Sequence, residues 1–237
     1  MQVTVLPTYY DLDYLDLTNK TVVVIDVLRA TSTIVAALVN GANAIVPLSV
    51  PPKSNDIKRL SAEENILFGG EQSCVKIKGF DLGNSPKEYI PEIVKGKKIY
   101  FTSTNGAKTI NNAVTARELL IGSILNGKAT AEKAASLNNG LVLACAGTRG
   151  NFSLEDVLGA GMCIHHLQQL TDCHLNDLAH LALKCFQANS HQLPLLFSHS
   201  SAGDRLVRLK LEEDIKFCSQ LNLYAQVPTY QKGLITL

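Results

Sequence analysis

Charge of one sign, paired zinc-type cysteines, a dinucleotide glycine fingerprint and long apolar runs are all missing from this chain, and each absence removes a class of function. Lys and Arg number 22 against 21 for Asp and Glu, a net charge of +1. No global field therefore draws in nucleic acid or an anionic membrane surface, and any anion must be held locally. No apolar run reaches membrane-spanning length, and the N-terminal MQVTVLPTYYDLDYL lacks the basic and apolar regions of a signal peptide. The six cysteines (Cys74, Cys145, Cys163, Cys173, Cys185, Cys218) form no CxxC pair, which is the usage of buried thiols in a reducing, cytoplasmic setting. Tryptophan is absent, which decides nothing. No Gly-, Ser- or Pro-rich linker and no repeat stands out, so residues 1–237 read as one compact unit.

What is present is alternation. Strand-like runs recur at 3–6, 21–25, 44–48, 65–69, 98–102, 118–122 and 141–146. Helical patterns such as STIVAALVNGA, KSNDIKRLSAE, SPKEYIPEIVKG and GKATAEKAASLNN lie between most of them. That order predicts an α/β protein, a three-layer α/β/α arrangement around a largely parallel or mixed sheet. The near-continuous apolar character of TVVVI and LVLACA suits strands covered on both faces. The texture turns helical over 153–222, and the tail LYAQVPTYQKGLITL is expected to add a short strand or a surface arm.

Ligands of open parallel sheets bind beyond the carboxyl ends of the strands, and four strands end in polar clusters. One runs into Asp26, Arg29, Thr31 and Ser32. A second runs into Gly70, Glu71 and Gln72, a third into Ser103, Thr104, Asn105 and Gly106, and a fourth into Gly147, Thr148 and Arg149. Asp26 and Glu71 are hard oxygen ligands suited to Mg²⁺. Arg29 and Arg149 present guanidinium forks to oxyanions, and helix N-termini offer free amides to phosphate. Together they point to a small anionic phosphoester beside a metal.

Blander readings compete with each. Thr31 or Ser32 caps a helix equally well, Ser153-Leu-Glu-Asp156 matches a capping box, and Asn105-Gly106 is an ordinary turn. An acid ending an apolar strand, as Asp26 does, is harder to dismiss, because an unpaired buried carboxylate is costly. Gly122–Ala129 misses the P-loop pattern by its hydroxyl and is too apolar. Leu28 replaces the second acid of a DxD phosphatase motif. Cys163, His165, His166, Cys173 and His174 match no zinc spacing.

Taken together, IDVLRATST, GGEQ followed by GFDLGNSPKEY, TSTNG and CAGTRGNFSLEDVLGAG resemble the 2-phosphosulfolactate phosphatase family, over most of residues 20–161. The resemblance implies an Mg²⁺-dependent phosphatase that converts (2R)-phosphosulfolactate to sulfolactate and phosphate, a step in coenzyme M synthesis. In that reading Asp26 and Glu71, with Asp156, hold the metal. Arg29, the Thr31–Ser32 amides and the loop Ser103, Thr104, Asn105, Gly106 bind the phosphoryl group, and Arg149 holds the carboxylate or sulfonate. Covalent attack by Asp26 stays open. Gln72, where a basic residue is expected, and Ser103 and Ala107, where threonines are expected, depart from the family pattern. They keep alive a phosphatase for another small phosphorylated hydroxy acid. A non-catalytic anion-binding protein is the rival from another class. For assembly the sequence offers only the general prior of a homo-oligomer.

Overall fold

Valine-rich segments whose side chains alternate between two apolar environments form the middle of the molecule. The computed structural model describes residues 1–60 and 64–237. The elements run β1 (Gln2–Leu6), β2 (Lys20–Ile25), α1 (Ala30–Val39), β3 (Ala44–Leu48), α2 (Ser54–Leu60) and β4 (Ile66–Gln72). Next come β5 (Val75–Lys76), α3 (Pro91–Val94), β6 (Lys98–Thr102), α4 (Gly106–Asn112), β7 (Glu118–Gly122), α5 (Gly127–Leu137) and β8 (Gly140–Cys145). The last part holds α6 (Leu154–Leu167), β9 (His174–Leu175), α7 (Asp177–Asn189), α8 (Leu193–His199), α9 (Ser201–Arg208), α10 (Glu212–Cys218), β10 (Thr229–Gln231) and β11 (Leu234–Thr236). The expected α/β class holds, and all seven anticipated strands are present.

The sheet is mixed, in the order β5-β4-β6-β3-β11-β10-β7-β2-β8-β1-β9. Strands β4, β6 and β3 are parallel to one another, as are β7, β2, β8, β1 and β9. Between the two groups lies the antiparallel hairpin β10–β11, paired antiparallel to β7 on one side and β3 on the other. Three successive reversals make the two parallel groups run in opposite directions. The C-terminal tail is therefore the seam of the sheet, not a surface arm.

Side chains of consecutive strand residues point to opposite faces. Val23 and Ile25 enter a core with residues of α5, α6 and α7, while Val22 and Val24 enter another with residues of α1 and α4. Ile45, Ile99 and Phe101 from the other strand group share that second core, so the sheet curls over it. This curl brings the carboxyl ends of β2, β8, β4 and β6 to one place although the groups oppose one another.

Several helical patterns were subdivided by local chemistry. SPKEYIPEIVKG breaks into a 3₁₀ turn at Pro86–Glu88 and the short α3, each opened by a proline, because proline lacks the N–H an uninterrupted helix needs. The last three residues of KSNDIKRLSAE lie outside the described residues. AGDRLVRLKLEEDIKFCSQL splits into α9 and α10 around Lys210, which has φ +58, and α8 was not anticipated. The P-loop-like stretch is core, with Ile124 and Leu125 fully buried. Among the described residues, no helix is long and apolar enough to cross a membrane.

Candidate active site

The strand ends meet at a cavity of about 650 Å³. Its wall includes Asp26, Glu71, Thr104, Asn105, Arg149 and Asp156: Glu71 from the end of β4, Asp156 from the first turn of α6, and the others from the loops after β2, β6 and β8. Arg29 also borders it, and Glu155, Asn84, Arg205 and Arg208 complete its polar lining.

Asp26 is held by the turn into α1. Its amide donates to Thr31 Oγ1 (3.0 Å), the Thr31 hydroxyl donates to the Asp26 carbonyl (2.9 Å), and the Ala30 amide donates to Oδ1 (3.2 Å). Gly106 presses on the other oxygen, since a Cβ there would lie 2.7 Å from Asp26 Oδ2 and 2.6 Å from Ala30 Cβ. Only glycine lets α4 start so close. Burial pushes the Asp26 carboxyl up to about 7, opposed by the Ala30 amide and reinforced by the charges of Glu71 and Glu155. With no metal bound, such a group changes protonation near neutrality, the range in which general acid–base carboxylates operate.

Glu71 ties two loops together. Its Oε1 accepts from the Thr104 amide (2.7 Å) and hydroxyl (2.8 Å), and its Oε2 accepts from the Cys74 amide. Asp156 does the same between β2 and β8, taking the Val27 amide at 2.8 Å and the Gly147 amide at 3.1 Å. Burial, then Asp26 and Glu155, push its carboxyl well above the usual range despite those amides. Ser153 makes no side-chain cap on α6, so Asp156 serves loops across the cavity rather than the capping box suggested by its spacing. Its neighbour Glu155 is 2% exposed; Oε1 accepts from the Ser153 hydroxyl at 3.1 Å, while Oε2 has no partner.

Arg29 does not reach freely into the cavity. It is buried, pairs with Asp214 on α10 at 2.6 Å, and donates to the Cys74 carbonyl at 3.3 Å. Asp214 also accepts from the Ser85 hydroxyl at 2.6 Å. Two of the five N–H groups of the guanidinium are thereby used.

The structure removes Thr31 and Ser32 from the cavity wall. Both are fully buried, and their hydroxyls serve the fold: Thr31 as above, Ser32 by donating to the Val27 carbonyl (2.8 Å) beside Ser123 (2.7 Å). Ser103 is also off the cavity wall, its hydroxyl accepting from the Ala107 amide at 2.8 Å. Of the residues that depart from the family pattern, Gln72 is exposed outside the cavity wall and Ala107 is buried. Glu155, Asn84, Asp214, Arg205 and Arg208 escaped sequence reasoning. The signal for Glu155 was its place beside Asp156; that for the arginines was their three-residue spacing on one helix face.

The cavity wall presents oxygen donors of the kind a hard cation takes. Among the described residues, Glu155 Oε2 and Asn84 Oδ1 are buried oxygens without partners, and both residues border the same cavity as Asp26. Among the described residues, no three His, Cys, Asp or Glu side chains gather tightly enough to enclose an ion. Mg²⁺ keeps much of its water and takes one or two carboxylates.

Comparison with known proteins converges on one group. The family model described as 2-phosphosulpholactate phosphatase matches residues 9–233. A protein of Caldanaerobacter subterraneus subsp. tengcongensis named "Probable 2-phosphosulfolactate phosphatase" is 39% identical over 228 residues, 96% of this chain and 95% of its own. Proteins of the same name from Carboxydothermus hydrogenoformans (42%; 89% of this chain, 86% of theirs) and Thermotoga maritima (41%; 92% of each) are similarly related. Fold, site and relatives define an α/β enzyme of the phosphoric monoester hydrolase class. More narrowly, the chain belongs to the 2-phosphosulfolactate phosphatase family.

Proposed function

We propose that the protein hydrolyses (2R)-phosphosulfolactate to sulfolactate and phosphate with Mg²⁺, as a step of coenzyme M synthesis. The observation that carries this reading is the meeting of Asp26, Glu71, Asn105 and Arg149, from four distant segments, at one cavity of small-molecule size. The match of the family model across those segments supports the substrate.

Asp26 and Glu155, aided by the Asn84 side-chain oxygen, would hold the metal, with Glu71 and Asp156 fixing the loops behind them. Bound there, Mg²⁺ would offset phosphate charge and favour in-line displacement at phosphorus. The Thr104–Asn105 loop lies against the phosphoryl group, and the remaining N–H groups of Arg29 donate to its oxygens as charge redistributes. Asp214 keeps Arg29 oriented. Asp26 would take a proton from the water that attacks phosphorus as the P–O bond to sulfolactate breaks, the proton passing to the departing alkoxide. In the covalent alternative Asp26 would displace sulfolactate to form an acyl phosphate that water then hydrolyses to phosphate. Arg149 steadies the acidic tail of the substrate. Gln72 and Ala107, lying off the cavity wall, give no reason to prefer a different phosphorylated acid.

Phosphate release tests this directly, using phosphosulfolactate and a panel of phosphorylated hydroxy acids with and without Mg²⁺. Fastest turnover on phosphosulfolactate, abolished by EDTA, is expected. Undiminished turnover in EDTA would remove the metal, and preference for another acid would change the substrate.

A further inference from the structure

We infer that Arg205 on α9 is a specificity-determining residue that binds the second strong acid of the substrate, its sulfonate. The inference rests on the proposed function and extends it to an element with no recognised motif.

Charge bookkeeping around the cavity leads there. Phosphosulfolactate carries phosphate, carboxylate and sulfonate together, and the wall already contains Asp26, Glu71, Glu155 and Asp156. A tail of two further anions needs cations facing it. Arg29 is neutralised by Asp214 at 2.6 Å. Arg208 is largely exposed and paired with Asp204 at 2.7 Å. Arg149 is exposed on its loop and serves one anion. Arg205 differs from all of these. It is half-buried and borders the cavity, and Nη2 donates to the Ser73 carbonyl at 2.6 Å. Among the described residues it has no carboxylate partner within salt-bridge distance.

A guanidinium anchored by one N–H to a neutral carbonyl keeps its charge and its other donors for a ligand. The anchor also fixes its direction, so little side-chain freedom remains to be lost on binding. The carbonyl it grips belongs to the turn after Glu71, and Arg29 grips the next carbonyl of that turn, Cys74. The sulfonate-binding arginine and the phosphoryl-binding arginine are thereby set against one short backbone segment. That geometry spaces two anions of a single small molecule.

The test compares phosphosulfolactate with phospholactate, which retains phosphate and carboxylate but lacks sulfonate. Arg205→Gln should raise KM for phosphosulfolactate about 10–100-fold, the usual scale of a lost charged hydrogen bond, with kcat within a few-fold. For phospholactate, kcat/KM should change less than about 3-fold, which a merely structural role for the Ser73 anchor would not produce. Arg205→Lys should recover part of the loss. Calorimetric binding of sulfolactate and lactate adds a readout independent of turnover, and only sulfolactate should weaken in Arg205→Gln. Equal losses on both substrates, or unchanged sulfolactate binding, would overturn the inference. Absence of phosphate release by the unsubstituted protein would refute the function, and the sulfolactate titration would still decide the role of Arg205.

Discussion

At Asp26, burial and hydrogen bonding pull in opposite directions, and burial wins: two neighbouring acids add to the desolvation that the Ala30 and Gly106 amides only partly offset. Arg29 resolves the same conflict by pairing with Asp214, both about 3% exposed. Removing one member of such a pair leaves a bare buried charge, which costs about 3–5 kcal/mol. Asp214→Asn should therefore lower unfolding free energy by roughly that amount in urea titrations. Arg29→Met with Asp214→Leu should restore much of the stability while activity stays lost. Stability unchanged in Asp214→Asn would show the pair to be a minor contributor. Glu71→Gln should loosen the site differently, because the amide nitrogen has only donors facing it at Thr104 and Cys74. A stability loss of about 1–3 kcal/mol by denaturant titration is expected.

Among elements, α6 and α7 approach so closely at Gly161 that an added Cβ would lie 2.1 Å from the Ala182 carbonyl oxygen. Helix propensity alone would make Gly161→Ala stabilising by about 1 kcal/mol. The collision forces the helices apart at about 1–3 kcal/mol, so the melting temperature should fall. A rise would mean that the interface yields freely. The hairpin β10–β11 is a second such element, since among the described residues it alone joins β3 to β7 in the sheet. Truncation after Gln226 should abolish cooperative thermal unfolding, as followed by circular dichroism. Most strands could be read because runs such as TVVVI and LVLACA carry their burial in their composition. For the tail a short strand was legible as one of two alternatives, but its place in the sheet was not, since TYQ and LIT are three residues each and, beyond each other, pair with β7 and β3 over a hundred residues away. Glu155 hid behind a capping pattern that gave it a local explanation, whereas Asp156 beside it stands out as a candidate in spite of that pattern. Arg205 hid on an amphipathic helix, where an arginine facing solvent is the ordinary case.

For the molecule as a whole, the acids gathered at one cavity couple stability to pH and to metal. Burial raises the folded carboxyls of Asp26, Glu155 and Asp156, Asp26 from 3.8 to about 7. Between those values the metal-free folded protein holds protons that the unfolded chain has released. Its stability is accordingly greatest below the unfolded pKa and declines as pH rises toward 7. Melting scans of the metal-free protein should show a fall of at least about 4 °C from pH 5 to pH 7.5, and Mg²⁺ should reverse the fall at the higher pH. A flat profile would mean that the acids are not the coupled, buried set described here.

The central claim is that oppositely running halves of a curled sheet bring Asp26 to a phosphomonoester. Phosphate release from (2R)-phosphosulfolactate by Asp26→Asn, which keeps the shape and removes the charge, tests it most directly. The account predicts a loss in kcat/KM of about 10³-fold or more with the folded circular dichroism spectrum retained. Activity within a few-fold of the unsubstituted protein would contradict it.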